Sequence, residues 1–403
     1  MGSVIAAIVW TAVAGAAAAV LYLWGWALVG LIAGVKRNGR ARPETHRRFI
    51  VVVPAHNEEA RLPALLAQLR RLAYPPDRYE IWVVADNCTD DTARVAEREG
   101  ARCLERREPD RVGKGWALQA AFEAACDTQA DAVVTIDVDS TVDPHLLQAF
   151  AANLEVAPRR RALQASNRLV AGDTTQSLLL AAESVLEDRL FYGSKARLGL
   201  PVLLRGNGMC LSTSLLRERP WQAFSLAEDV EYGAALLAGG ERPAYVAEAK
   251  VTSVAPLARA QMTVQRSRWG SGHRHVLLQY GPRLLWKGIR DFDLGLCDTA
   301  LGMFVTSKSA LGVACLGALA AAWALRGVVG PWPAWLAIAA ALALVCYGGL
   351  GLILCRPSAG RLVRAAVWAP GLLALRALIH VRSIFRLSAP TWRRTPDHDE
   401  VRS

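Results

Sequence analysis

Cysteine is scarce in this sequence and never closely paired: there are 8 in 403 residues, with no C-x-x-C among them. That excludes a zinc ribbon and a secreted disulfide framework, and leaves small buried thiols in a reducing compartment. Basic residues are missing from the first 35 positions, and Val4 to Val35 carries no charge of either sign. A signal peptide would begin basic and have a shorter apolar core, so the run reads as an uncleaved membrane anchor. No G-x-G-x-x-G follows the first β-rich run, which excludes that type of dinucleotide fold. Glycine, at 32 residues, is too sparse for a collagen-like chain, and 53% apolar residues exclude overall disorder.

Charge is present in excess, at +11 overall. Its placement assigns it to a membrane surface rather than to nucleic acid. Lys36, Arg37, Arg40, Arg42, Arg47 and Arg48 follow the apolar run, with Glu44 as the only opposing charge. The positive-inside rule puts this flank, and the chain to about Arg290, in the cytosol. The C-terminal third turns apolar again. Leu294 to Leu325 is a candidate span interrupted by Asp298 and Lys308, and Val328 to Cys355 is a second. Arg356, Arg361 and Arg364 then read as cytosolic. Residues 362–387 carry four arginines, which suits an interfacial helix better than a spanning one. Leu284, Gly288, Phe292 and Leu296 recur every four residues. They predict an amphipathic helix, lying along the membrane or packed on the preceding domain. The expected division is an anchor (1–36), a cytosolic domain (37–282), interfacial and membrane helices (283–388) and a cytosolic tail (389–403).

The cytosolic part alternates strands with helices. Phe49 to Val53, Tyr79 to Val84 and Ala132 to Ile136 read as buried strands. Leu62, Leu65, Leu66, Leu69 and Leu72 have helical spacing, and helices are expected at Thr92 to Arg98 and Ala117 to Ala125. This order predicts an α/β fold with a parallel sheet, which binds ligands beyond the carboxyl ends of its strands. Those ends are polar: Pro54-Ala55-His56-Asn57-Glu58-Glu59, Asp86-Asn87-Cys88-Thr89-Asp90-Asp91 and Asp137-Val138-Asp139. Asn, Thr and Asp there also cap helices, which accounts for Thr89, Asp90 and Asp91. Asp137 and Asp139, two apart in extended chain, point the same way. Together they can hold Mg²⁺ or Mn²⁺ with a diphosphate.

Taken with Glu228-Asp229 and Gln265-x-x-Arg268-Trp269, these motifs resemble, in the same order, membrane-embedded family 2 glycosyltransferases of the cellulose, poly-N-acetylglucosamine and hyaluronan synthase type. The resemblance covers about residues 48–275. It implies a GT-A fold, a nucleotide-sugar donor and an inverting displacement at the anomeric carbon. Carried over residue by residue, it makes Asp229 the general base and Asp139 a metal ligand, with Asp137 near both metal and nucleotide. Pro54, His56, Asn57 and Glu58 become the nucleotide-binding first loop, Asp86 the uracil contact, and Lys114 a further phosphate or nucleotide contact. Arg268, supported by Gln265, would bind the diphosphate. Trp269 and Glu228, with Asn207 and Gly208 of the Arg205–Gly208 turn, would face the acceptor.

Two departures stand out. Ala227 precedes Glu228 where the polymer synthases usually show Thr, and the membrane part is small. The expected activity is β-transfer from UDP-glucose or UDP-N-acetylglucosamine to a growing poly- or oligosaccharide at the cytosolic face of the cell membrane. The alternative is a single addition to a lipid, as in ceramide glucosyltransferase, and a non-catalytic scaffold is a further rival. Expected partners are the sugar nucleotide, a carbohydrate or lipid acceptor and the bilayer, without nucleic acid.

Overall fold

A computed structural model describes residues 2–33, 47–156, 161–256, 259–305, 308–369 and 371; within 259–269 it describes the backbone only. The described strands are β1 (Phe49–Ala55), β2 (Tyr79–Asp86), β3 (Arg102–Arg106), β4 (Ala132–Thr135), β5 (Ser140–Val142), β6 (Ala162–Val170), β7 (Met209–Ser212) and β8 (Ala244–Val254). They form one sheet in the order β3-β2-β1-β4-β7-β6-β8-β5. The first half, β3-β2-β1-β4, is parallel. β7 runs antiparallel to both β4 and β6, β6 is parallel to β8, and β5 closes the far edge antiparallel to β8. This is the mixed, mostly parallel α/β sheet expected.

Alternation along β1 explains how both sheet faces are covered. Phe49, Val51 and Val53 point to one face, where Leu62, Leu65, Leu66 and Leu69 of the Leu62–Leu69 helix pack with Phe150. Ile50 and Val52 point to the other, against Ala117, Leu118, Ala121 and Phe122 of the Lys114–Cys126 helix. Each large apolar side chain fully buried here contributes about 1.5–3 kcal/mol. Because the first strands are parallel, their carboxyl ends share one edge. The antiparallel pairing of Thr135 with Met209 brings residues 205–208 to that same edge.

Two described helices, Gly2–Ile32 and Trp332–Cys355, are long and apolar enough to cross a membrane. The expected span from Leu294 to Leu325 is instead two helices, Leu294–Val305 and Lys308–Ala324, bent by 71°. The charges that interrupt it have partners. Asp298 accepts from the Tyr22 hydroxyl at 2.7 Å and the Trp26 indole at 3.1 Å, and pairs with Lys195 at 2.8 Å. Lys308 pairs with Glu187 at 3.5 Å. Both pairs join these two helices to the Leu186–Arg197 stretch of the sheet domain, whose first part, Leu186–Tyr192, is π-helical.

The amphipathic helix expected around Leu284–Leu296 differs in extent. One helix runs from Arg259 to Arg290, through Pro282 and across the expected boundary at 282/283. It then stops: Phe292 adopts a left-handed φ of 53°, and Asp293 caps the next helix by accepting from Gly295 and Leu296 N–H at 2.9 and 3.1 Å. Leu284 is buried with Ala227, Val230 and Leu237, whereas Trp286, Ile289 and Phe292 are exposed. The helix therefore packs on the domain with one side and leaves an apolar one open. Most of 362–387, the 389–403 tail and most of the basic flank lie outside the described residues.

Candidate active site

The first two strand ends are laced together. Asn57, at a left-handed φ of 57°, accepts from Thr89 N–H at 2.8 Å and donates to the Thr89 hydroxyl at 3.1 Å. The His56 ring nitrogen Nδ1 lies 2.7 Å from the Asp86 carbonyl. Glu58 and Glu59 N–H donate to the Thr92 hydroxyl and to the Asp90 carboxylate at 2.8 and 3.1 Å. Asp91 holds the N-cap position of the following helix without a side-chain bond, and Asp90 supplies the carboxylate that accepts from Thr92 N–H at 3.0 Å. Pro54 is the penultimate residue of β1, paired with Val84. Much of the expected nucleotide loop thus serves first to fix its own shape.

Asp86 closes β2 and is buried. Its carboxylate is held by Arg106, at the end of β3 and directly across the ladder from it. Asn87 donates to it at 3.0 Å, and Gly113 N–H at 3.4 Å. Burial pushes this carboxyl up, against the opposing pull of Arg106. Arg106 was not singled out in the sequence; only the parallel register of β2 and β3 connects it to Asp86.

Asp137 and Asp139 emerge just beyond β4, with Val138 between them turned into the core. Lys114, the first residue of its helix, pairs with Asp137 at 2.5 Å. Burial opposes the Lys114 charge, but Asp137, Glu228 and Asp229 around it outweigh that and hold the ammonium on. Asp139 remains open to solvent. Crowding by the cleft walls and then the Asp137 charge raise its carboxyl, against Arg61 and Lys114. Arg61 is a second cation that sequence reasoning missed.

Glu228 and Asp229 occupy the first turn of the Glu228–Ala238 helix. Asp229 accepts from Val230 N–H at 2.8 Å. Burial raises its carboxyl, with Lys114 and then His273 opposing. Glu228 is pushed up to about 7 by burial and by the Asp229 charge. Gly206, at a φ of +72°, lies against this pair: a Cβ there would sit 2.9 Å from Asp229 Oδ2 and 3.4 Å from Lys114 Nζ. Only glycine fits that approach without strain. Asp137, Lys114, Gly206 and Asp229 are therefore one contiguous constellation.

Asn207 differs from its expected place beside the acceptor. Its side chain is buried, accepts from Asp137 N–H at 3.2 Å and donates to Ser140 at 2.9 Å. Both ends are committed, so it braces the carboxylate turn. Gly208, also expected there, is buried with a φ of +74°, and a Cβ would lie 2.7 Å from the Ala165 Cβ. Gln265, Arg268 and Trp269 lie on the Arg259–Arg290 helix. Their side chains fall outside the described residues.

The cleft collects carboxylates at Asp86, Asp137, Asp139, Glu228 and Asp229, opposed by Lys114, Arg106 and Arg61. A diphosphate is poorly matched to that charge alone. Asp137 and Asp139 supply hard oxygen donors that suit Mg²⁺ or Mn²⁺, ions that take remaining ligands from phosphate and water. No cluster of three or more His, Cys, Asp or Glu suited to a metal occurs among the described residues, so the fit is to an ion shared with a ligand.

Comparison with known proteins bears on the fold and the family. The chain is 26% identical over 285 residues to the beta-monoglucosyldiacylglycerol synthase of Synechocystis, covering 64% of this chain and 58% of that protein. It is 28% identical over 318 residues to an N-acetylglucosaminyltransferase of Sinorhizobium fredii, covering 73% and 72%. It thus spans little more than half the length of the first. The mannosyltransferase of Pyrobaculum calidifontis, solved with GDP-mannose and Mn²⁺, superimposes with a TM-score of 0.58 over 91% of this chain and 98% of that one, at 20% identity. A family model described as glycosyltransferase like family 2 matches residues 46–272, more than half of the sequence, and the chain belongs to that family.

Proposed function

We propose that this chain moves a single sugar from a nucleotide-sugar donor to a hydroxyl of a lipid acceptor at the membrane surface, with Asp229 as general base. The observation that carries the reading is the join between base and membrane helices. The helix that bears Asp229 packs through Ala227, Val230, Ala234 and Leu237 on Val276, Leu284, Leu296, Ala300 and Met303. On this reading the acceptor side of the cleft would be walled by the Arg259–Arg290 and Leu294–Val305 helices, which lead into the apolar C-terminal third. The Synechocystis relative is named for a glycolipid product, which supports the same order of preference. Extension of a poly- or oligosaccharide, the first expectation from sequence, becomes the second reading.

In the proposed reaction the acceptor hydroxyl loses its proton to Asp229 as it attacks the anomeric carbon opposite the departing diphosphate, inverting that centre. A Mg²⁺ or Mn²⁺ ion held by Asp137 and Asp139 would supply neutralisation of the charge that grows on the leaving oxygens. Lys114 stands between Asp137 and the base and keeps two carboxylate sites from repelling one another. Gly206 lets backbone approach both. Arg268 would add a bidentate phosphate contact. Asp86 would meet the base of the nucleotide, with Arg106 holding its orientation.

The test uses the full chain in detergent. UDP-glucose, UDP-N-acetylglucosamine and GDP-mannose are offered with Mn²⁺ or Mg²⁺, with diacylglycerol or ceramide micelles or with soluble oligosaccharides. Nucleotide release and product mass are followed. One sugar added to the lipid is expected. A ladder on the oligosaccharide would establish the second reading, and no transfer from any donor would overturn both.

A further inference from the structure

We infer that Arg168 and Arg205 form an anion-binding subsite on the Asp229 side of the cleft, and that the acceptor lipid carries a phosphate in its headgroup. The inference deepens the lipid reading given above and rests on it. It starts from two guanidiniums whose donors are unspent. β7 runs antiparallel to both β4 and β6, so β6 is parallel to β4. The end of β6 therefore lies at the same sheet edge as Asp137 and Asp139, and Arg168 stands on that end. Arg205 reaches the edge through the turn before β7. Its neighbour in the chain is Gly206, where a Cβ would lie 2.9 Å from Asp229 Oδ2.

One buried carboxylate, Asp188, meets both arginines. Its Oδ2 lies 3.7 Å from Arg168 Nε, and its Oδ1 lies 3.7 Å from Arg205 Nη1. Those distances are too long for hydrogen bonds. The Asp188 oxygens accept instead from the Ser166 and Tyr245 hydroxyls, each at 2.8 Å. Arg205 is held in place by other means. Its guanidinium carbon lies 4.9 Å from the centre of the Tyr192 ring, and its backbone N–H donates to Gln164 Oε1 at 2.7 Å. Nη1 is buried without a hydrogen-bond partner. Neither guanidinium donates a hydrogen bond to any of the described residues. The Arg205 side chain is 16% exposed and the Arg168 side chain 34%, so both are partly withdrawn from water yet reachable.

One carboxylate does not neutralise two guanidiniums, and Glu187, next to Asp188 in the chain, has its own cation in Lys308 at 3.5 Å. Donors held away from water without an acceptor cost free energy, and a charged acceptor recovers it. The planar fork of a guanidinium matches the oxygens of a phosphate. Asp188 and Tyr192 orient the pair in advance, so a ligand phosphate meets donors already in place. The donor diphosphate is the rival anion. It is drawn to the ion held by Asp137 and Asp139, whereas an inverting attack brings the acceptor from the side of the base. Arg205, one residue from the Gly206 contact with Asp229, stands on that side. A phosphate bound there places the headgroup hydroxyl of a glycerophospholipid near the base.

The experiment titrates the full chain in detergent with dihexanoylphosphatidylglycerol, dihexanoylglycerol, inorganic phosphate and UDP, each followed by calorimetry. Transfer from UDP-glucose with Mn²⁺ to each lipid is measured beside it. Wild type is expected to bind the phosphate-bearing lipid about tenfold or more tighter than the neutral one, the worth of a charge-assisted hydrogen bond. Arg168→Gln and Arg205→Lys should each remove most of that preference and leave UDP affinity as it was. Arg168, the more exposed of the two, keeps the test open if Arg205→Lys folds poorly. Equal affinity for the two lipids would overturn the inference. So would a fall in UDP affinity in step with the lipid's, which would give the arginines to the donor diphosphate, or inorganic phosphate bound as tightly as the lipid. Selective lipid binding with transfer to neither lipid would leave the subsite standing and remove the transfer reading. Transfer to dihexanoylglycerol without preference for the phosphate would do the reverse.

Discussion

The two halves of the cleft are built differently. The proposed donor half stands on parallel β1, β2, β3 and β4, with loops laced by hydrogen bonds between residues about 30 apart in sequence. The proposed acceptor half gathers Glu187, Arg205 and Asp229 from three segments, and ties Glu187 to Lys308 on the Lys308–Ala324 helix. Burial opposes the charges there: it raises the Asp229 carboxyl, while Lys308 and Arg205 keep the Glu187 carboxyl below the ordinary range. A donor pocket can be prepared by strand ends alone. The half around Asp229 also draws charge compensation from the Lys308–Ala324 helix.

The sharpest break between the halves is Asp229→Asn. On the proposed mechanism it lowers kcat by about 10²–10⁴-fold and leaves nucleotide binding intact, measured by turnover beside donor affinity. Retained turnover would move the base elsewhere. Removing a partner in the donor half acts on stability instead. Arg106→Met strands the Asp86 carboxylate in the core and should cost about 3–5 kcal/mol by denaturant unfolding. Arg47→Met, which breaks the more open pair with Asp131, should cost about 1 kcal/mol or less. Equal effects would mean that burial does not distinguish these pairs.

A separate effect is a pH dependence around Asp229. Glu228 rises from 4.5 to about 7 on folding, so the folded chain holds that proton more tightly than the unfolded one. Its stabilising contribution is complete below the unfolded value and is lost as pH rises through about 7. Glu228→Gln should therefore be more stable than wild type above neutrality, and the gain should shrink toward acid. Unfolding midpoints at mildly acid and mildly alkaline pH measure the difference. The opposite trend would place Glu228 in a solvated or cation-dominated setting.

Local patterns carried the donor half. β-branched runs located β1, β2 and β4, and polar residues at their ends located the cleft edge. Extended alternation did not hold at Asp137-Val138-Asp139: a turn in which Ser140 N–H donates to the Asp137 carbonyl at 3.1 Å buries Val138 and leaves Asp137 half-buried and Asp139 exposed. Pairing is what those patterns lack. Arg106 became Asp86's partner through the β2–β3 register, and Asn207 became a brace because β7 runs antiparallel beside β4. Asp298 and Lys308 looked like flaws in a span until Lys195 and Glu187 were found opposite them.

By itself the sequence determined that a parallel α/β domain with acidic strand ends is bound to apolar helices, because periodicity and charge placement are properties of neighbouring residues. Tertiary structure decided which carboxylate meets which cation, where the Leu294–Ala324 segment bends, and that the helix bearing Asp229 packs on the Arg259–Arg290 and Leu294–Val305 helices. Those outcomes depend on contacts between residues tens to hundreds of positions apart, where burial sets the strength of each charge and only the packed chain sets its partner.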